Sequence, residues 1–328
     1  LNVWINDETG AMDAPASVAE ILERNPDAFA AFDTALEADP GLSPHLRVHK
    51  PWIDQVTWTR EGEPGVYRRV PEVIDCWFDA GAMPFAQWGY PHVNADRFEE
   101  SFPADFITEA VDQTRGWWNA LLQISTLLFP DKAVPHPFKS CVVLGHVVDR
   151  KGYKLSKSKK NYDPPEEMME EFGADSVRWA LFTAAAPSQP IRFDATSAKE
   201  ATRELLLKLW NVTSFFVTYA RIDEWDGTAK RSPIAERAVL DRWILAELDA
   251  TVKEVRADME DLDAGAAARD IQRFVDALSN WYVRRSRSRF WAEEDNDDKH
   301  NAFATLHEVL VETAKLLAPF APFMAETL

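Results

Sequence analysis

The spacing of apolar and polar positions changes character twice along this 328-residue chain. Up to about residue 70, Pro15, Pro26, Pro40, Pro44 and Pro51 break it into short pieces. Residues 17–24 and 27–38 are predicted as short helices, with Ser17 and Asp27 as N-caps. Residues 51–73 predict short strands around the turn Glu61-Gly62-Glu63-Pro64-Gly65. Between about 71 and 195, short apolar runs at 73–78, 104–108 and 138–144 predict buried strands. Residues 117–129 predict a buried helix stopped by Pro130. Strands alternating with helices point to a mostly parallel sheet covered on both faces. From about 196 the period is helical. Leu205, Leu209, Val212 and Phe216 form one stripe, and Ile244, Leu248, Val252, Val255 and Met259 a second. Ile271, Phe274, Val275, Leu278 and Trp281 form a third, and Leu306, Val309, Leu310, Thr313 and Leu317 a fourth. All are predicted as core positions of an antiparallel helical bundle. Ser232-Pro233 places an N-cap before a first-turn proline. The fold expected is α/β followed by all-α, with divisions at 1–70, 71–195 and 196–328.

Composition narrows the picture. With 46% hydrophobic and 27% charged residues the chain is ordinary for a globular protein. No apolar run approaches the roughly 20 residues of a membrane span, so no membrane is expected. The start, Leu1-Asn2-Val3-Trp4, shows no leader pattern and no initiator Met, and both ends read as cuts through a longer protein. Cys76 and Cys141 are too few for a zinc site or a disulfide framework; each is expected to be a small buried residue in a reducing, cytoplasmic setting. A net charge of −18 argues against a protein that coats nucleic acid. Two basic patches, 151–160 and 284–289, still allow a grip on one RNA, with the acidic remainder repelling misplaced RNA.

The candidate chemistry sits at Lys154-Leu155-Ser156-Lys157-Ser158, between a strand-rich segment and a helix. Two lysines and two serines on a short loop make a cationic clamp. In adenylyl and phosphoryl transfer, charge builds on phosphate oxygens, and positioned ammonium groups stabilise it without a protein nucleophile. A solvated basic loop is the alternative for that string alone.

The neighbours change the balance. The string resembles the KMSKS signature of class I aminoacyl-tRNA synthetases, with Leu155 for Met. Asn161-Tyr162-Asp163-Pro164 follows it, as in the isoleucine and valine enzymes, and residues 172–178 resemble their "GADALR" helix. Residues 73–84 resemble the "DxWFDSG" segment, and residues 102–117 the "EGxDQxRGW" segment, of the isoleucine enzymes. The resemblance implies the second half of a Rossmann-like catalytic domain after a connective segment, then the start of an anticodon-binding domain. It implies that Trp77 and Trp117 flank the isoleucine side chain. Two indole faces make an apolar slot for a branched alkyl group, but such a slot rejects valine by only roughly 10- to 200-fold. It implies further that Glu109, Asp112 and Gln113 contact the aminoacyl adenylate, and that Lys154, Ser156 and Lys157 act on the ATP phosphates, the two lysines as the catalytic pair. His146 is a candidate adenine contact, a structural role being the alternative. Residues 278–291 resemble the first helix of the anticodon-binding domain. Arg284, Arg285, Arg287 and Arg289 there are candidates for gripping tRNA, or else pair with local carboxylates.

The implied partners are ATP with Mg²⁺, L-isoleucine and the isoleucine tRNA. The sequence departs from the pattern at Ala80, Ala110 and Trp118, and Ala110 stands where the family carries a glycine that lets backbone approach the ligand. Residues 58–69 align with a zinc knuckle but carry no cysteine, so no metal is expected. No HIGH string and no editing domain occur in these residues, so the chain by itself is not expected to activate isoleucine. A valine or leucine enzyme, and a non-catalytic tRNA-binding protein that works with a separate partner, are the competing readings.

Overall fold

A computed structural model describes residues 1–156, 161–228 and 231–328, which fall into two compact units. The first holds Leu1–Phe102 and Gly116–Pro137, and the second holds Pro103–Arg115 and Phe138–Leu328.

The first unit opens with a four-stranded antiparallel sheet. Its order is β2 (Met12–Asp13), β1 (Trp4–Asn6), β4 (Tyr67–Arg69) and β3 (Thr57–Trp58). Helices α1 (Val18–Arg24) and α2 (Ala30–Ala38) lie between β2 and β3 in the chain. Ser17 caps α1 as expected, accepting from the Glu20 N–H. Asp27 does not cap α2. The Asn25 side chain takes the Asp27 N–H at 2.9 Å, a turn forms there, and the helix starts three residues later. The core is aromatic. Trp58 stacks between Trp4 and Tyr67, at centroid distances of 4.9 and 5.8 Å, and the Trp4 indole N–H donates to the Val56 carbonyl at 2.8 Å. Arg60 lies 4.7 Å over the Tyr67 ring and pairs with Asp13, which also receives Arg24 at 2.7 Å. Stacked rings and this ion triad hold the segment that aligns with a zinc knuckle.

The Arg24 hydrogen bond outweighs burial and, with Arg60, holds the Asp13 carboxyl below the usual range. Asp13→Asn is therefore expected to cost about 1–2 kcal/mol, the range of a charge-assisted, part-buried hydrogen bond. A depressed folded pKa stabilises above the unfolded value near ~4 and stops doing so as pH falls through the folded value. The wild-type advantage over Asp13→Asn should thus be full at neutral pH and vanish on acidification, as read from denaturation at a series of pH values.

The rest of this unit is α3 (Cys76–Gly81), α4 (Met83–Ala86), α5 (Ala95–Ser101) and α6 (Trp117–Leu128). The run at 73–78 is therefore not a buried strand. Asp75 accepts from the Trp77 and Phe78 N–H groups and starts a helix there, leaving Cys76 exposed with Val73, Trp77 and Phe78. The helix at 117–129 forms as expected but buries one face only: Trp118 and Leu121 are inside, Leu122 and Leu127 outside. Phe129 joins a second aromatic cluster with Phe85, Tyr90, Phe98 and Phe102.

The second unit contains the parallel pair β5 (Ala104–Ala110) and β6 (Phe138–Leu144), then the parallel pair β7 (Val147–Val148) and β8 (Ile191–Arg192). Both strands of the first pair were expected, but as part of a sheet covered on both faces. Among the described residues β5 and β6 pair only with each other, and Phe106 is half exposed. Helices α7 (Pro165–Phe172), α8 (Ala174–Thr183) and α9 (Ala195–Ala201) follow.

The bundle comprises α10 (Leu207–Ile222), α11 (Val239–Glu260), α12 (Ala264–Ala277), α13 (Arg284–Phe290), α14 (Asp297–Leu317) and α15 (Pro322–Thr327). Ser232-Pro233 does not start α11, because the Ser232 backbone and hydroxyl are engaged by Asn301 on α14 and the helix begins at Val239. Most of the predicted stripes are core: Leu205, Leu209, Val212, Ile244, Ile271, Phe274, Leu278, Leu306 and Leu317 are buried. Met259, near the end of α11, and Trp281 are exposed instead, at 38% and 54%. A π-helical turn, Leu278–Val283, joins α12 to α13. Its wider turn adds a residue, so Tyr282 takes the inward position that a regular helix gives to 281.

Candidate active site

The frame of the site lies in the second unit. β5 and β6 run in register from Ala104 opposite Phe138 to Ala110 opposite Leu144, so their carboxyl ends lie side by side. In open parallel sheets, ligands bind off that edge. Glu109 is the penultimate residue of β5; it is exposed, and its carboxylate accepts from the Ala110 N–H at 3.2 Å. A 3₁₀ turn, Val111–Arg115, leaves β5 and carries Asp112 and Gln113. Gly145 and His146 leave β6 next to it. Four of the predicted residues, far apart in sequence, thus stand at one strand edge. Ala110 closes the β5 ladder there.

Gly145 is needed at this exit. Its N–H donates to the Pro187 carbonyl at 2.7 Å, and a Cβ there would lie 2.1 Å from the Gln189 carbonyl oxygen. The His146 carbonyl accepts from the Ile191 N–H at 2.9 Å, which begins the β7–β8 pairing. His146 is half-buried, and its backbone is structural whatever its ring contacts.

The lysine–serine loop follows β7 directly. Lys154 is exposed and bridges the backbone of Val148, and Ser156 is half-buried, its N–H held by Asn161 at 2.9 Å. Lys157 lies outside the described residues. The described part of the patch, 151–156, thus leaves β7, which follows Gly145-His146 in the chain.

The two predicted pocket tryptophans lie in the first unit. Trp77 is on the first turn of α3 and Trp117 begins α6. The Trp117 indole N–H donates to the Ala80 carbonyl at 3.1 Å, one helical turn from Trp77. That bond fixes the edge of the Trp117 ring, and Trp77 keeps 41% of its surface exposed.

The arginine segment divides. Arg284, Arg285 and Arg287 are exposed, and the Arg285 guanidinium lies 4.3 Å over the Trp281 ring. Arg289 is engaged otherwise. It donates two hydrogen bonds of 2.7 Å to the fully buried Asp241 and further bonds to Asp298. Burial works against its charge, but these carboxylates more than offset that and raise its pKa. Sequence reasoning did not single out Trp281 as an exposed ring beside a cation. A helical period cannot show it, because the π-turn is what turns it outward. Nor did it single out Asp149, although Asp at the first and Gly at the fourth position of Asp149-Arg150-Lys151-Gly152 is a turn signature.

Comparison with known proteins identifies the family. Residues 42–194 match the family of class I tRNA synthetases (I, L, M and V), and residues 241–328 match the anticodon-binding domain of tRNA ligases. The chain belongs to the class I aminoacyl-tRNA synthetases of that group. Within the group, relatives that it matches along its length include isoleucine–tRNA ligases. That of Deinococcus radiodurans is 49% identical over 328 residues, covering 98% of this chain and 28% of the relative. That of Clostridium tetani is 43% identical over 326 residues, covering 99% and 30%. The chain spans less than a third of the length of these relatives and so matches a fragment of them. The ternary complex of Agrobacterium radiobacter K84 agnB2 LeuRS with tRNA and LeuAMS shares the fold, with a TM-score of 0.69 and 21% identity over 99% of this chain and 38% of that one. Mycobacterium tuberculosis methionyl-tRNA synthetase bound by methionyl-adenylate does so at a TM-score of 0.63 and 19% identity, over 99% and 66%.

Proposed function

We propose that these residues form part of an isoleucine–tRNA ligase, supplying its phosphate-binding loop, one wall of its isoleucine pocket and part of its grip on the isoleucine tRNA. The observation that supports this reading is the register of β5 and β6, which puts the strand exit leading to Asp112 and Gln113, with Glu109 just before it, beside the exit at Gly145-His146, from which the chain runs through β7 to Lys154. The identity to isoleucine–tRNA ligases supports the choice of amino acid.

In this reaction the isoleucine carboxylate attacks the α-phosphorus of ATP, which enters as its Mg²⁺ complex. Pyrophosphate leaves, and the aminoacyl adenylate remains. The terminal ribose hydroxyl of the tRNA then attacks the acyl carbon and AMP leaves. Lys154 and Lys157 balance the charge that builds on the leaving pyrophosphate. Glu109 or Asp112 pairs with the α-ammonium group of isoleucine, and the remaining carboxylate with Gln113 binds the ribose hydroxyls. Trp77 and Trp117 receive the branched side chain. Arg284, Arg285 and Arg287 meet tRNA phosphates, which Arg289, held by Asp241 and Asp298, does not. Residues 1–70, 71–195 and 196–328 serve as connective segment, catalytic half and tRNA-contacting bundle.

Calorimetric titration with a non-hydrolysable isoleucyl-adenylate analogue, with the valyl analogue alongside, tests the reading. Preference for the isoleucyl form is expected, within the roughly 10- to 200-fold that one methylene supports. Trp117→Ala should weaken binding of both analogues. A chain that prefers the valyl form sinks the assignment.

A further inference from the structure

The lysine–serine loop is tied at its base by a hydrogen-bonded clip. Asp149 follows β7 and opens a tight turn, in which the Gly152 N–H donates to the Asp149 carbonyl at 2.9 Å and Gly152 adopts a φ of 85°. One carboxylate oxygen of Asp149 accepts from the Lys151 and Tyr153 N–H groups, each at 2.9 Å. The other accepts from the Asn161 side-chain amide at 2.9 Å. Asn161 lies on the far side of the loop. Its amide also donates to the Lys154 carbonyl at 3.2 Å, and its carbonyl oxygen accepts from the Ser156 N–H at 2.9 Å. One side chain therefore joins Asp149, Lys154 and Ser156. The hydrogen bond from Asn161, aided by those from the backbone, holds the Asp149 carboxyl below its ordinary range, so it stays an acceptor at neutral pH.

A second tie lies outside the first. Arg150 on the near stem donates to Asp194 and Thr196, and Asp163 on the far stem accepts from the Ala195 N–H at 2.9 Å. Both stems land on the capping turn that starts α9.

We propose that Asp149 and Asn161 are positioning residues that hold Lys154 and Ser156 in place for the ATP phosphates. The proposal rests on the phosphate-binding reading of the loop. Neither residue needs to touch the nucleotide. A floppy stem would let the Lys154 ammonium group sample many positions, and an electrostatic contact is effective only when it is already in place.

The polarity of the clip makes a rescue test possible. Asn161→Asp sets two carboxylates against each other and removes the hydrogen bond that Asp149 receives from Asn161. In the exchanged pair, Asp149→Asn with Asn161→Asp, residue 149 donates and residue 161 accepts. Net charge then equals the wild type and the Ser156 N–H keeps its acceptor, but the donation to the Lys154 carbonyl is lost, so recovery is partial. Asn161→Ala removes the clip without adding charge.

The probe is inorganic pyrophosphate, titrated calorimetrically into this chain and its variants. Hydrogen exchange of the Ser156 amide is followed in parallel, and thermal unfolding confirms the fold. Expected are roughly tenfold weaker pyrophosphate binding and faster Ser156 exchange in Asn161→Ala, as the loss of several ordinary hydrogen bonds predicts. Asn161→Asp should be weaker again, and the exchanged pair should recover to within about threefold of wild type, since the charge-assisted bond is restored. If Asn161→Ala binds pyrophosphate as the wild type does, or the exchanged pair stays as weak as Asn161→Asp, the proposal is overturned. Wild-type protein that protects Ser156 yet binds no pyrophosphate overturns the phosphate-binding reading itself, and the proposal with it.

Discussion

Asp241→Ala is expected to destabilise the bundle by about 3–5 kcal/mol, the range for removing one partner of a buried ion pair. Asp241 on α11 is fully buried and serves two groups, Tyr282 within the π-turn and Arg289 on the helix after it. The Tyr282 hydroxyl donates to it at 2.7 Å, and Arg289 forks onto both its oxygens. Without the carboxylate, a guanidinium and a phenol face the interior with fewer partners. Burial, first, and Asp241, second, already push the Tyr282 hydroxyl well above its usual pKa, so the phenol stays neutral and cannot take over the countercharge. A loss of that size is a large part of the 5–15 kcal/mol typical of a whole domain. Tyr282→Phe removes one donor and leaves the ion pair intact, so it should cost only about 1 kcal/mol. Denaturant unfolding of the two variants provides the comparison. An Asp241→Ala effect no larger than that of Tyr282→Phe would show that Arg289 finds water instead.

The second large effect concerns chemistry. In an enzyme that carries these residues together with a HIGH-bearing half, Lys154→Ala is expected to lower isoleucine-dependent pyrophosphate exchange by about 100- to 1000-fold, the cost of losing one preorganised charge at a transition state. The loss should appear in kcat more than in the KM for isoleucine, because the charge on the phosphates grows as pyrophosphate departs. Lys154→Arg should recover part of it, since a planar guanidinium keeps the charge but not the point geometry of an ammonium group. An unchanged exchange rate in Lys154→Ala would leave the chemistry to Lys157 and remove Lys154 from the catalytic pair.

The site was legible in part, and the reason differs by residue. Lys154 was readable as a candidate because its string suits charge-on-phosphate chemistry, and Glu109, Asp112 and Gln113 only because theirs resembles that of a known family. That they share an edge with His146 was not readable. It depends on β5 and β6 pairing in register across an intervening helix, a contact between residues more than thirty apart. Asn161 was visible as part of a motif but not as a clip, since its three partners are set by the path of the loop stems.

Local signals sufficed where one physical effect dominates. Ser17 caps α1, Val-rich residues 138–144 form β6, and leucines at helical spacing enter the bundle core, because capping and apolar periodicity act within a turn or two. They failed where a nearby side chain or a distant element competed. An apolar run at 73–78 became exposed helix because one carboxylate, Asp75, caps two N–H groups there. Ser232-Pro233 lost its capping role to Asn301, 69 residues away. Trp281 turned outward and Tyr282 inward because a π-turn lets the buried Asp241 receive both the phenol and Arg289. The sequence by itself thus determined the class of fold, the family and the string of candidate phosphate contacts. The tertiary structure decided which side chains meet, which arginines remain exposed and what ties the base of the loop, since burial and hydrogen-bond satisfaction are settled by neighbours remote in the chain.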